Sequence, residues 1–119
     1  VRIAFAAAPG RIALVTDAMA AAGSADGDYV LGALAVRVEN TVARLLDGTI
    51  AGSTLTQDAA LRTAVAAGVD LPAAVAALTT TPAQAIGRPE LGSLAIGSPA
   101  DAVLLDADLV VRRVWTGCA

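Results

Sequence analysis

Asp17 is the residue on which chemistry is most readily built. It follows the apolar run Ile12-Ala13-Leu14-Val15 and Thr16, and it precedes Ala18-Met19. Four apolar residues set between Gly10-Arg11 and Thr16-Asp17 fit a strand buried on both faces, as in a parallel sheet. In parallel α/β folds, ligands collect at the carboxyl edge of the sheet, where loops leave the strands. An acid at that edge can serve as a general base, as a metal ligand, or as a cap on the following turn through its own backbone.

A second stretch, Asp47-Gly48-Thr49-Ile50-Ala51-Gly52-Ser53-Thr54-Leu55-Thr56, brings two glycines and several hydroxyl residues to the start of a helical pattern. Such a lead-in lets backbone N–H groups approach a ligand closely. It is equally a flexible turn with an ordinary N-cap, since Thr54 with Gln57 three residues on fits a capping box. Asp101 stands directly before an apolar run and reads as a structural turn residue. Cys118 is the single cysteine, so an intramolecular disulfide is ruled out, and near the end of the chain it reads as an incidental thiol. The sequence holds no histidine. These 119 residues therefore lack the means for an ordinary zinc site or a His-based triad of their own.

The elements that must position these residues follow from composition and punctuation. Hydrophobic residues make up 56% of the chain and mean hydropathy is +0.69, enough for a folded core. With aromatics at 3%, that core must be built from Ala, Val, Leu and Ile. The net charge of −3, with no basic cluster beyond Arg112-Arg113, argues against nucleic acid as a partner. No apolar run approaches the roughly 20 residues needed to span a bilayer, and the N-terminal residues do not read as a signal peptide. The expected location is cytoplasmic.

Residues 1–8 read as the tail of a helix with no cap at its start, broken by Pro9-Gly10. Residues 20–28 are small and turn-rich and read as a loop. Period-two alternation over residues 29–46 predicts an antiparallel hairpin turning at Glu39-Asn40-Thr41. Thr41 is a poor second residue for a tight turn, which predicts a looser loop. Three helices should follow: residues 58–67 closing on Gly68, one capped by Asp70 with Pro72 and running to Leu78, and one capped by Thr81 with Pro82 and ending at Gly87. Residues 102–105 and 109–115 read as strands separated by Asp106-Ala107-Asp108.

The segment Gly92-Ser93-Leu94-Ala95-Ile96-Gly97-Ser98-Pro99-Ala100-Asp101, continued by Ala102-Val103-Leu104-Leu105-Asp106, is similar to the end of amidohydrolase superfamily chains. These leave a TIM barrel and complete a small β-sandwich through a G-x-L-x-x-G-x-x-A-D pattern. Val15-Thr16-Asp17-Ala18-Met19, taken with residues 47–56, resembles more specifically the N-acetylglucosamine-6-phosphate deacetylases, in matching order and spacing from Arg11 to Gly117. The fold this implies is α/β: the last strand, a hairpin insertion and helices of a (β/α)8 barrel over residues 1–88, then closing strands of a β-sandwich over residues 89–119.

The resemblance further implies a hydrolase that releases acetate from N-acetylglucosamine 6-phosphate and leaves glucosamine 6-phosphate. In that family an Asp matching Asp17 takes a proton from a metal-activated water and passes it to the leaving amine. The backbone contact to the sugar phosphate maps onto Ile50, Ala51 and Gly52. The divalent metal, zinc or similar, is held in the family by a Glu and two His on earlier strands, so its ligands are expected upstream of Val1 or on a companion chain. No metal is expected for these 119 residues alone, which should be inert by themselves. The complete enzyme is expected to be a cytoplasmic homodimer with no nucleic-acid or membrane partner. Two other readings stand beside this one: a non-catalytic scaffold or partner-binding fragment, and another amidohydrolase such as a cyclic-amide hydrolase.

Overall fold

Alternating apolar and polar residues dominate the chain between Gly27 and Ser53, and in the computed structural model, which describes residues 1–117, they form one antiparallel sheet. Its strands are β1 (Gly27–Leu31), β2 (Leu34–Glu39), β3 (Val42–Leu45) and β4 (Ile50–Ser53), in the order β1-β2-β3-β4. This sheet is the body of a compact unit, Val15–Gln57. One face carries Val36, Val38, Ala43 and Ala51, which pack with Met19 and Ala21 and with the partly buried Tyr29 and Leu45. Val36 and Val38 are fully buried, each stabilising the unit by about 1.5–3 kcal/mol relative to exposure. The other face carries Arg37 and Arg44, directly opposite each other across β2 and β3. Arg37 donates from Nε to Asp28 at 2.8 Å, and Arg44 donates to the Gly48 carbonyl at 2.8 Å. The predicted hairpin is thus the centre of a four-stranded meander. Its outer strands contain Gly27, Gly52 and Asp28, residues with weak strand preference, and they gain their order by pairing.

The β2–β3 turn is tighter than the sequence predicts. Glu39 pairs with Val42, and the two residues between them, Asn40 and Thr41, both take positive φ (50° and 65°). Asp26 makes this turn possible by accepting both of their N–H groups.

A second unit joins Val1–Leu14 to the chain from Asp58 onward. It contains α1 (Arg2–Ala7), the bulk of α2 (Gln57–Ala66), α3 (Leu71–Ala76), α4 (Thr80–Ala85) and the hairpin of β5 (Ala102–Leu105) and β6 (Val111–Trp115). Leu61, Ala64, Val69 and Ala74 form its core, with Phe5, Leu14, Val65, Leu78, Leu105 and Leu109 packed around them. As predicted, α1 has no side-chain cap, and Pro72 stands in the first turn of α3. Several boundaries differ. Helix α3 ends at Ala76 rather than Leu78, with Asp70 at its cap position but making no side-chain cap hydrogen bond, and β1 begins at Gly27 inside the stretch read as a loop. Helix α2 begins at Gln57, so Thr56 rather than Thr54 precedes it, and the Thr54 hydroxyl is engaged elsewhere, donating to the Thr41 carbonyl at 2.6 Å. Helix α4 begins at Thr80, which puts Thr81 inside it and Thr79 at the cap position. Leu109 takes φ +59° and lies outside β6, because Asp106 gathers the Asp108 and Val110 N–H groups, both at 2.9 Å, into a closed connection.

Asp101 is structural as read, its carboxylate accepting the Gly117 N–H at 2.7 Å across the ends of the β5–β6 hairpin. Arg113 lies over the ring of Trp115, 5.0 Å from its centroid, and the Tyr29 hydroxyl donates to the Ala25 carbonyl. Cys118 lies outside the described residues. Among the described residues, no helix is long and apolar enough to cross a membrane.

Candidate active site

The run Ile12-Ala13-Leu14-Val15 forms no ladder among the described residues. A buried parallel strand needs hydrogen-bonded neighbours on both edges, whereas here Leu14 N–H finds the Ala77 carbonyl at 2.8 Å. Ile12, Leu14 and Thr16 are half-buried in alternation, and Val15 is 73% exposed, so the expectation of burial on both faces does not hold for this chain.

Order returns two residues later. The Asp17 carbonyl accepts the Ser53 N–H at 2.8 Å, the Met19 N–H donates to the Ser53 carbonyl at 2.8 Å, and Ala18 and Ser53 form a parallel bridge. Asp17 has φ +50°, a left-handed conformation that Asp tolerates better than most residues, and its side chain is exposed. Among the described residues the Asp17 carboxylate accepts no hydrogen bond, so the capping role open to it in the sequence is not taken. Several acids are engaged, Asp26 with Asn40 and Thr41, Asp47 with Thr49, Asp101 with Gly117 and Asp106 with Arg112, whereas Asp17 shares its open carboxylate with Glu39, Asp70 and Asp108, and what sets it apart is the clamp on its main chain. Asp17 is thus an exposed acid whose main chain is clamped to Ser53.

The other predicted residues lie alongside. Ile50, Ala51 and Gly52 belong to β4 rather than to a loop, and β4 is an edge of the sheet that the bridge to Ala18 joins only at Ser53. Ala51 is buried in the core and Ile50 is 64% exposed. Gly52 has φ +81°, and a Cβ there would stand 3.1 Å from the Asp17 carbonyl oxygen and 3.3 Å from Met19 Cβ. The structure therefore brings Asp17 and Ile50-Ala51-Gly52 side by side within one compact unit.

Sequence reasoning passed over Met19 and Ser53, which make this arrangement. Met19 is 7% exposed, and its sulfur accepts the Ala21 N–H at 3.1 Å. Its position as the only methionine, two residues beyond the acid, was the available signal. Ser53 acts through its peptide groups, for which a sequence has no signal.

No three side chains of His, Cys, Asp or Glu come together among the described residues. With histidine absent from the whole sequence, the residues present do not fit a divalent-metal site.

The chain matches the amidohydrolase family over residues 6–117. It belongs to that family. Members of the family generally use a divalent metal. Among curated relatives, it is 43% identical over 107 residues to the N-acetylgalactosamine-6-phosphate deacetylase of Escherichia coli O157:H7, covering 88% of this chain and 28% of that protein. It is 35% identical over 108 residues to the N-acetylglucosamine-6-phosphate deacetylase of Vibrio furnissii, covering 88% of this chain and 27% of that protein. Among solved structures, this amidohydrolase chain superposes with a TM-score of 0.87 and 44% identity on an Asp→Ala mutant of the N-acetyl-D-glucosamine-6-phosphate deacetylase of Mycobacterium smegmatis, in complex with N-acetyl-D-glucosamine-6-phosphate. That match covers 97% of this chain and 32% of the other. The N-acetylglucosamine-6-phosphate deacetylase of Pasteurella multocida gives a TM-score of 0.92 at 27% identity, covering 97% and 31%. The mixed α/β architecture predicted from sequence is thus that of deacetylase structures. The chain spans 64% of the length of one curated relative and less than a third of the others named here.

Proposed function

We propose that this chain contributes the proton-transfer acid and part of the substrate cradle of an enzyme that hydrolyses N-acetylglucosamine 6-phosphate to glucosamine 6-phosphate and acetate. The observation that carries this reading is the clamp at Ser53, which holds an exposed, unengaged carboxylate beside an edge strand. In this reading the Asp17 carboxylate takes a proton from the water that attacks the amide carbon. It then returns that proton to the sugar nitrogen as the C–N bond breaks, so that the amine leaves neutral. Backbone groups of Ile50, Ala51 and Gly52 along the open edge of β4 hydrogen-bond the sugar phosphate, as edge strands do with extended ligands.

The reading extends to the complete protein. A (β/α)8 barrel, with residues 1–88 as its last portion, and a β-sandwich closed by residues 89–119 would place zinc or a similar divalent ion on ligands outside this chain, from an upstream segment or a companion chain. The complete enzyme would be a cytoplasmic homodimer. The described residues of this chain do not themselves fit the metal, and their part in the reaction is the proton transfer by Asp17 and the hold on the sugar phosphate.

The test is Asp17→Asn in the complete enzyme, assayed on N-acetylglucosamine 6-phosphate and on its galactosamine epimer. kcat should fall by about 10²–10⁴, the usual worth of a general acid or base, with a far smaller change in KM. A well-folded variant retaining more than about a tenth of the parental kcat returns Asp17 to a structural role. A parental enzyme with turnover only on the epimer moves the substrate from glucosamine to galactosamine.

A further inference from the structure

We infer that Gly52 and Met19 are positioning residues for Asp17, so that Gly52 serves the acid as well as any substrate it touches. The inference rests on the reading of Asp17 as the proton-transfer group. Its structural warrant is independent of that reading.

Asp17 and Gly52 lie against each other with left-handed backbones, φ +50° and +81°. The gap between them is narrower than a side chain. A Cβ at position 52 would come within 3.1 Å of the Asp17 carbonyl oxygen, 3.3 Å of Met19 Cβ and 3.7 Å of Met19 Cγ. Neither neighbour can yield freely. The Asp17 carbonyl is committed to Ser53 N–H, the next residue after Gly52, and Met19 is anchored among Val36, Val38, Ala43 and Ala51. A methyl group at position 52 therefore pushes on the carbonyl of the residue whose carboxylate must meet the water, and the positive φ at position 52 adds strain for any residue but glycine. The displacement, a few tenths of an ångström at the carbonyl, is transmitted to the Asp17 carboxylate, where a shift of about 1 Å can cost on the order of a hundredfold in rate and a smaller one correspondingly less. Met19 works from the other side: two residues beyond the acid, its buried side chain fixes the depth at which the segment lies on the sheet.

The experiment is a double-mutant cycle in the complete enzyme, with Asp17→Asn, Gly52→Ala and the pair. Gly52→Ala should lower kcat about 3- to 10-fold, beside any rise in KM that comes from its contact with the substrate. The pair should be no slower than Asp17→Asn alone, because a residue that acts through the carboxylate has nothing left to position. Losses that multiply in the pair, or a raised KM at parental kcat, overturn the inference and leave Gly52 as a substrate contact only. If Gly52→Ala fails to fold by thermal unfolding, Met19→Ala takes its place with the same cycle and the same two outcomes. Full activity of Asp17→Asn, seen in its own arm, overturns the reading of the acid and this inference with it.

Discussion

The carboxylate of Asp26 accepts the N–H of Asn40, fourteen residues along the chain, at 2.6 Å, and that of Thr41 at 3.3 Å. This one side chain supplies acceptors for two N–H groups of a turn whose residues both have positive φ. Asp26→Ala should therefore destabilise the meander by about 1–2 kcal/mol, the range for losing a capping carboxylate. Chemical denaturation read on the sheet checks it.

The same turn predicts a gain. Thr41 is β-branched and held at φ +65°, a conformation costing an L-residue roughly 1–2 kcal/mol. Thr41→Gly creates the Asn-Gly pair that tight two-residue turns favour. The greater freedom of glycine in the unfolded chain offsets about 0.5–1 kcal/mol, and the Thr41 hydroxyl bond to the Asn40 carbonyl is lost. The expected outcome is a small rise in the unfolding midpoint, and a fall would show that the hydroxyl matters more than the strain.

Gly92 meets a stricter limit. It has φ +73°, and a Cβ there would come within 2.5 Å of the Thr79 carbonyl carbon and oxygen and 2.8 Å of the Thr80 nitrogen. Backbone atoms at the start of α4 cannot step aside as a side chain can. Gly92→Ala should cost about 2–5 kcal/mol from overpacking and strain together, measured by urea unfolding.

What the sequence disclosed follows from the range of the forces involved. The helix ends at Gly68 and Gly87 and the strands at 36–38 and 102–105 are local patterns, and they were legible. The tightness of the turn at Asn40-Thr41 is not legible locally, because its stabiliser, Asp26, is distant in sequence. The run at 12–15 was read from hydropathy alone, which records a wish for burial but not whether strand neighbours exist to supply it. Asp17 and Ile50-Ala51-Gly52 stood out through their residue types and through the family resemblance. The clamp that joins them, made by the peptide groups of Ser53, has no side-chain signature.

Hydrogen bonds from Val110 N–H and the neighbouring Arg112 guanidinium hold the Asp106 carboxyl below the usual carboxylate range, and Thr49 N–H and Arg37 do the same for Asp47 and Asp28. A carboxyl whose value is depressed on folding stabilises the fold fully above its unfolded value, about pH 4. That contribution is lost as pH falls through the lower folded value. The thermal midpoint should therefore hold from neutral pH down to this range and then drop, and Asp106→Asn should make the acid limb shallower. An acid limb unaltered in Asp106→Asn would show that this connection opens before the unit unfolds.

Chain 1–119 alone, with no histidine and no gathered ligands among its described residues, should show no saturable zinc binding at micromolar metal and no deacetylation of N-acetylglucosamine 6-phosphate. Isothermal titration and a coupled assay for released acetate check both, and tight binding with turnover would place the metal site in this chain.

Trp115 and Tyr29 are the only tryptophan and the only tyrosine of the chain, and they fall in different compact units. Each unit thus carries its own intrinsic chromophore. Emission excited at the red edge of the indole band follows the β5–β6 hairpin, where Arg113 covers the ring. Second-derivative absorbance, which separates the phenol band from the overlapping indole, follows the meander, where the Tyr29 hydroxyl is tied to Ala25. Melting curves recorded in the two channels therefore resolve the sheet that holds Asp17 from the helical unit without any label. Their coincidence or separation measures directly whether the two melt as one cooperative body.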